Sequence, residues 1–229
     1  MRDATDITVV LDRSGSMDNI KNDIIGGFNN FIREQRNVKN AGECVVTLIQ
    51  FDSQNPQETL YTAMPVDNVR DLTNNTFVPR GGTPLYDAVG QAIKSAGHRL
   101  SQMNEYQRPD KVIFVIMTDG EENASQEFSS MSLFQLIGMQ ESLYRWHFIF
   151  IGANQDAIKA AGKMNIRAAQ SITYAAAGPQ VQAVYTSLGA NIANLRTGQA
   201  TNLDWTDDQR AAAIGNDAKA TVTITSSTP

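Results

Sequence analysis

Two near-continuous apolar runs, Val9-Val10-Leu11 and Val112-Ile113-Phe114-Val115-Ile116, constrain this chain more than any other feature. Neither alternates with polar residues, so each is expected to be buried on both faces, as in a central parallel strand covered by helices. Around them lie stretches whose apolar residues recur three and four positions apart, the period of an amphipathic helix. Alternation of the two periods is the signature of βαβ units. The expected architecture is therefore α/β: a mostly parallel central sheet with one antiparallel edge strand and helices on both faces.

Ile7–Asp12 reads as the first strand, followed by a helix from about 18 to 38 with Ile20, Ile24, Phe28, Phe31 and Ile32 on one stripe. Gly26-Gly27 interrupts that stripe at a cost in helix propensity, and close packing on the sheet is one explanation. Val45–Phe51 and Thr59–Val66 read as strands joined by a turn over Asp52–Gln57, a connection short enough to require an antiparallel edge pair. Thr83 then reads as an N-cap and Pro84 as the first helical residue, ahead of Leu85, Ala88, Val89, Ala92, Ile93 and Leu100. Next come strand Lys111–Thr118, helix Ser130–Tyr144, strand Trp146–Ile151, a short helix capped by Asn154, a strand near Ala168–Ile172, and a helix over Pro179–Leu195. A short helix is expected within Trp205–Ala213. Ala220–Thr225 alternates like a strand but ends in the Ser/Thr/Pro composition of a loose tail. The expected division is one domain over residues 1–200 and a C-terminal extension over 201–229.

In 229 residues, no apolar run approaches the roughly 20 needed to span a bilayer. The first six residues are polar, with no leader pattern. Cys44 is the only cysteine, which excludes an internal disulfide or a thiolate metal cage and gives it the role of a small packing group. These features predict a cytoplasmic protein without membrane contact. A net charge of −5 and a pI near 5.0 argue against a nucleic-acid partner.

Chemistry concentrates where strands hand over to helices. Asp12-Arg13-Ser14-Gly15-Ser16 follows the first strand and offers one carboxylate and two hydroxyls at alternate positions. Gly81-Gly82-Thr83-Pro84 and Thr118-Asp119-Gly120 are placed to join it. Carboxyl ends of strands in an open α/β sheet are where ligands gather, and an oxygen-only donor set suits a hard divalent cation. Helix capping by Ser16 or Asp18 would explain the first segment alone, but not the convergence of three.

Asp12-x-Ser14-x-Ser16, Thr83 after Gly82, and Asp119-Gly120 together resemble the von Willebrand factor A domain and its metal-ion-dependent adhesion site. The resemblance runs from about Asp6 to Ile151 and extends toward Leu195. It implies a Rossmann-like fold, with Ser14, Ser16 and Thr83 offering hydroxyls to Mg²⁺ or Mn²⁺ and Asp12 and Asp119 acting directly or through water. An open coordination position would then be completed by an acidic side chain of a partner protein. Without a leader or disulfides, the chain is similar to the stand-alone cytosolic bacterial or phage members, adaptors or subunits of larger assemblies.

Around that site, Met17, Asp52, Glu121 and Glu122 are expected to form a partner-facing rim. Arg13 would line it or cover the sheet, and Glu121-Glu122-Asn123 reads equally as a solvated acidic loop. His98 and His147 are isolated and assigned to packing or surface. Two other functions remain open at this stage. One is a structural component whose metal only staples the loops. The other is a Mg²⁺-dependent hydrolase, which is disfavoured because no P-loop is present and Ser14 stands where an aspartyl-phosphate enzyme would want a second Asp.

Overall fold

The computed structural model describes residues 3–153 and 156–215. Strand β1 (Thr5–Asp12) is buried along all eight residues and lies at the middle of a six-stranded sheet. With β2 (Cys44–Asp52), β3 (Asn55–Pro65), β4 (Lys111–Thr118), β5 (His147–Ala153) and β6 (Ser171–Tyr174), the order is β3-β2-β1-β4-β5-β6. All pairs are parallel except β2–β3. This is the Rossmann-like α/β arrangement that the alternating periods imply.

Register brings the strand ends level. Asp12 pairs with Phe51, Leu11 with Met117, and Thr118 with Gly152, so the segments after β1, β2, β4 and β5 leave the sheet along one edge. On one face Ile7, Val9 and Leu11 meet α1 (Lys21–Asn37), α5 (Gly178–Arg196) and α6 (Asp207–Ile214). On the other face Val10 packs with α2 (Leu85–Ser101), α3 (Ser130–Tyr144) and α4 (Ala157–Gly162).

Local chemistry adjusts several expected boundaries. The first helix starts as a 3-10 turn over Gly15–Ile20, with no side-chain cap at Ser14 or Ile20. Gly27 faces α5, not the sheet: a Cβ there would lie 2.1 Å from Cδ2 of Tyr185. The β2–β3 turn is tighter than expected because Asp52 Oδ1 accepts N–H bonds from Gln54 and Asn55 at 2.7 and 2.9 Å, closing the chain within two residues. Pro56 therefore falls inside β3, where an edge strand tolerates a missing donor. Helix α2 starts at Leu85 with Pro84 as the cap residue, and Thr83 does not cap it. The Asn154 cap and the Ala220–Thr225 strand lie outside the described residues.

Both sheet margins are shielded. β3 begins beside Pro56, ends at Pro65, and carries register irregularities with Ala63 at φ 44. Along β6, Arg210 Nη1 donates to the Ser171 carbonyl at 2.7 Å, and its Nη2 reaches the carbonyls of Ala168 and Ala169. Leu203, Trp205 and Ala213 join the buried core beside these contacts. Cys44 is buried at the start of β2, and burial pushes its thiol up to about 11.

Candidate metal centre

Three turns at the carboxyl edge are tied to one another through their backbones. Gly15 N–H donates to the Gly81 carbonyl at 3.0 Å, and Arg80 N–H to the Arg13 carbonyl at 2.9 Å. Asn123 N–H donates to the Thr83 carbonyl at 3.1 Å, while Asn123 Oδ1 accepts Thr83 N–H at 2.8 Å. Ser53 adds a reciprocal pair with Gly82 at 3.0 and 2.8 Å. The turn carrying Asp12, Ser14 and Ser16, that carrying Thr83, and that carrying Asp119 therefore form one cluster.

Within the cluster the oxygens converge. Ser14 Oγ lies 3.1 Å from Ser16 Oγ, and Ser16 Oγ donates to Asp119 Oδ1 at 2.6 Å. A Cβ built on Gly120 would lie 3.1 Å from Thr83 Oγ1 and 3.7 Å from Ser16 Oγ, so the missing side chain leaves a small oxygen-lined cradle. Asp12 forms its floor. It is fully buried, its Oδ1 accepts Ser14 N–H, and its Oδ2 accepts the Thr118 hydroxyl, each at 2.6 Å. Ser16 is thus spent on Asp119 rather than on capping the helix that follows it.

Two interacting carboxylates, one fully buried and one half-buried, are electrostatically costly. Burial pushes Asp12 up to about 6 despite the opposing bonds from Thr118 and Ser14, and Asp119 adds to the rise. Burial also raises Asp119, against the Ser16 hydroxyl. A cation among these oxygens would relieve both. The donors fit a hard divalent ion, since two carboxylates and three hydroxyls leave room for water in an octahedral shell. Among the described residues, no group of three or more His, Cys, Asp or Glu side chains could hold a metal, so the hydroxyls are indispensable to any such site.

The expected rim is only partly at the surface. Met17 has no exposed area and packs in the core, because the 3-10 turn points it toward the sheet. Asp52 is also fully buried, its Oδ2 receiving Arg13 Nη2 at 2.6 Å, Arg13 Nε at 2.9 Å and Arg80 Nε at 3.0 Å. Both belong to the interior, which corrects the expectation for them. Burial alone would raise the Asp52 carboxyl, but Arg13, the Gln54 and Asn55 N–H groups and Arg80 outweigh it and hold it below the usual range. Arg13 itself is buried, reaching Gln50 and Glu58 as well.

Glu121 is exposed beside the cluster, whereas Glu122 is a scaffold group. Its carboxylate accepts Tyr86 N–H at 2.9 Å, Ala124 and Ser125 N–H at 2.9 and 2.7 Å, and the Ser125 hydroxyl at 2.6 Å. Glu122 thereby serves the first turn of α2, the task expected of Thr83, and the Thr83 side chain remains available to the cradle. Sequence reasoning also missed Asp87, a buried carboxylate that accepts the N–H groups of Gln126, Glu127 and Phe128. The sequence carries no signal for it, because at 3.6 residues per turn Asp87 falls on the side of α2 opposite the apolar stripe.

The model of the von Willebrand factor type A domain matches residues 6–184. The chain belongs to that family. Solved structures share its fold. The pilus adhesin SpaC from Lactobacillus rhamnosus GG, in an open conformation, is 13% identical with a TM-score of 0.64, covering 84% of this chain and 30% of SpaC. Proximal thread matrix protein 1 from the mussel byssus, in a structure with a zinc-occupied MIDAS motif, is 13% identical with a TM-score of 0.55, covering 83% and 46%. A von Willebrand factor type A protein from Catenulispora acidiphila is 11% identical with a TM-score of 0.50, covering 82% and 42%. This type A chain spans less than half the length of each. No curated protein sequence matches it.

Proposed function

We propose that this von Willebrand factor type A domain is a divalent-cation-dependent protein-interaction module with no chemistry of its own. Asp12, Ser14, Ser16, Thr83 and Asp119 would hold Mg²⁺ or Mn²⁺. A partner's acidic side chain would complete the shell. The single observation that carries this reading is the cradle over Gly120, where Thr83 Oγ1 and Ser16 Oγ face the same point beside Asp119. The zinc-occupied motif of the mussel protein and the adhesin role of SpaC support a metal-bearing interaction site here.

A bound ion supplies a positive centre whose charge the neutral hydroxyls do little to cancel. The chain's own groups do the rest. Asp12 anchors the floor, Ser14 and Ser16 orient through each other, and Thr83 is positioned by its two backbone bonds to Asn123. A purely stapling role is less well supported, because backbone hydrogen bonds already join the three turns. The proposed setting is the cytoplasm, in a larger assembly, without nucleic-acid or membrane partners.

Calorimetric titration with Mg²⁺ and with Mn²⁺ tests the site. Wild type should give saturable heat, and folded Ser14→Ala and Asp119→Ala variants should give little or none. Equal heats in all three would refute the assignment. Protein partners captured with wild type from the native host should be released by EDTA, and retention after chelation would refute cation-dependent binding.

A further inference from the structure

The exposed apolar side chains of this protein concentrate on α3. Of nine large hydrophobic side chains exposed among the described residues, five lie on that helix: Met131, Phe134, Met139, Leu143 and Tyr144. None of its exposed residues is charged. On the opposite side Leu133 and Ile137 fill the core, so α3 is apolar all round, the pattern of a buried helix. Single exposed apolar side chains are ordinary, whereas a contiguous set marks a docking surface.

At 3.6 residues per turn, Phe134, Met131, Gln135, Ser142, Met139 and Leu143 cover one continuous half of the helix surface. Its two ends differ in shape. Near the N-terminal end Met131 protrudes, 65% exposed. At the C-terminal end Met139 and Tyr144 border a crevice of about 390 Å³ between α2 and α3, walled by the buried Leu100 and Trp146. With exposures of 44% to 67%, the five large side chains present about 500 Å² of surface. Doubled across two copies, this reaches about 1,000 Å², the lower bound of a specific interface.

We propose that α3 pairs antiparallel with α3 of a second copy of this chain, about a two-fold axis, each Met131 entering the other copy's crevice. Charge favours this occupant. Copies of a chain of net charge −5 repel one another, and this half-helix brings no charge against its like. A two-fold contact must also be complementary to itself. A protrusion at one end and a recess at the other meet that condition only when the helices run in opposite directions; parallel pairing would set Met131 on Met131 and crevice on crevice. The flexible methionine side chain suits an irregular recess, and opposed helix dipoles add to the preference. Because α3 leads from β4 to the parallel β5, it runs back from the carboxyl edge of the sheet. Pairing therefore sets the two candidate metal centres at opposite ends of the dimer. The pairing itself does not depend on whether those centres bind a cation.

Sedimentation velocity of the full chain tests the proposal. At about 50 μM the 25.1 kDa chain should sediment mainly as a dimer, with a Kd on the order of 10 μM for so small an interface. In Met131→Glu/Leu143→Glu, whose two sites are exposed, like charges meet across the axis and association should weaken by about tenfold or more. A wild-type monomer at that concentration would overturn the proposal and leave the face to the residues beyond Gly215 or to a different protein. A dimer that the substitutions do not weaken would overturn it too, placing the contact elsewhere. Orientation is read by oxidation, with Cys44 buried and out of reach. Mixed Met131→Cys and Leu143→Cys chains should cross-link to each other faster than either does to itself. Self-linking at an equal or higher rate would overturn the antiparallel pairing.

Discussion

Asp12 is the residue at which folding and the proposed cation binding oppose each other, and the conflict can be measured. Its carboxyl is pushed from 3.8 to about 6 by burial, so the folded cation-free protein holds a proton that the unfolded chain releases. Because the folded value is raised, the contribution is stabilising below 3.8 and is lost as pH rises through about 6. A rise of that size corresponds to about 3 kcal/mol in total, of which about 1.4 kcal/mol is recovered between about pH 7.5 and about pH 5. A cation requires the ionised form. With about one molecule in eleven ionised at about pH 5, apparent cation affinity should fall about tenfold over the same interval. Urea unfolding in EDTA, compared between wild type and Asp12→Asn, isolates the first effect, since the Asn variant lacks this titration. Calorimetry with Mn²⁺ at both pH values gives the second. The reasoning fails if wild type and Asp12→Asn keep a constant stability difference across the interval, or if Mn²⁺ affinity does not change. Asp52 does not confuse the comparison: its folded value is depressed, so its contribution is present above 3.8 and is lost only at lower pH.

Asp52→Asn should cost about 3 kcal/mol in urea unfolding, because Arg13 and Arg80 lose their shared buried counter-ion; a loss under about 1 kcal/mol would show that Glu58 and Gln50 suffice for Arg13. Gly27→Ala should destabilise by about 1–3 kcal/mol although alanine favours helix, since its Cβ would enter the Tyr185 ring. Adding Tyr185→Leu should recover part of that loss, and an additive further loss would contradict the packing explanation. Cys44 should resist a thiol reagent in the folded protein and react fully in denaturant, following its burial and raised thiol; rapid labelling without denaturant would contradict its placement.

The parts of this fold legible in sequence are those with a local period. β1 and β4 announce themselves through uninterrupted apolar runs, and α1 and α2 through stripes of spacing three and four. The clustered residues Asp12, Ser14, Ser16, Thr83 and Asp119 are visible because strand-to-helix turns place oxygens at a known edge of a parallel sheet. What escapes depends on contacts distant along the chain. Gly27 and Tyr185 meet across two helices, and Arg13 and Asp52 across two strands. Thr83 carries the local pattern of a cap, but Glu122, 36 positions beyond Tyr86, supplies the acceptor to α2. Met17 sits within a polar motif yet turns inward, since a 3-10 start reverses the expected helical phase.

The shielded margins of the sheet decide how this molecule can grow into anything larger. With prolines and an irregular register along one border, and the Arg210 guanidinium on the Ser171 carbonyl at the start of the other, both flanks of the described sheet are hindered as ladders for a foreign strand. Association through backbone annealing, the route to uncontrolled fibres, is thereby discouraged at both ends of the sheet. Under the proposed function, recruitment falls to the loop-bearing rim, where side-chain chemistry can discriminate among visitors and release them.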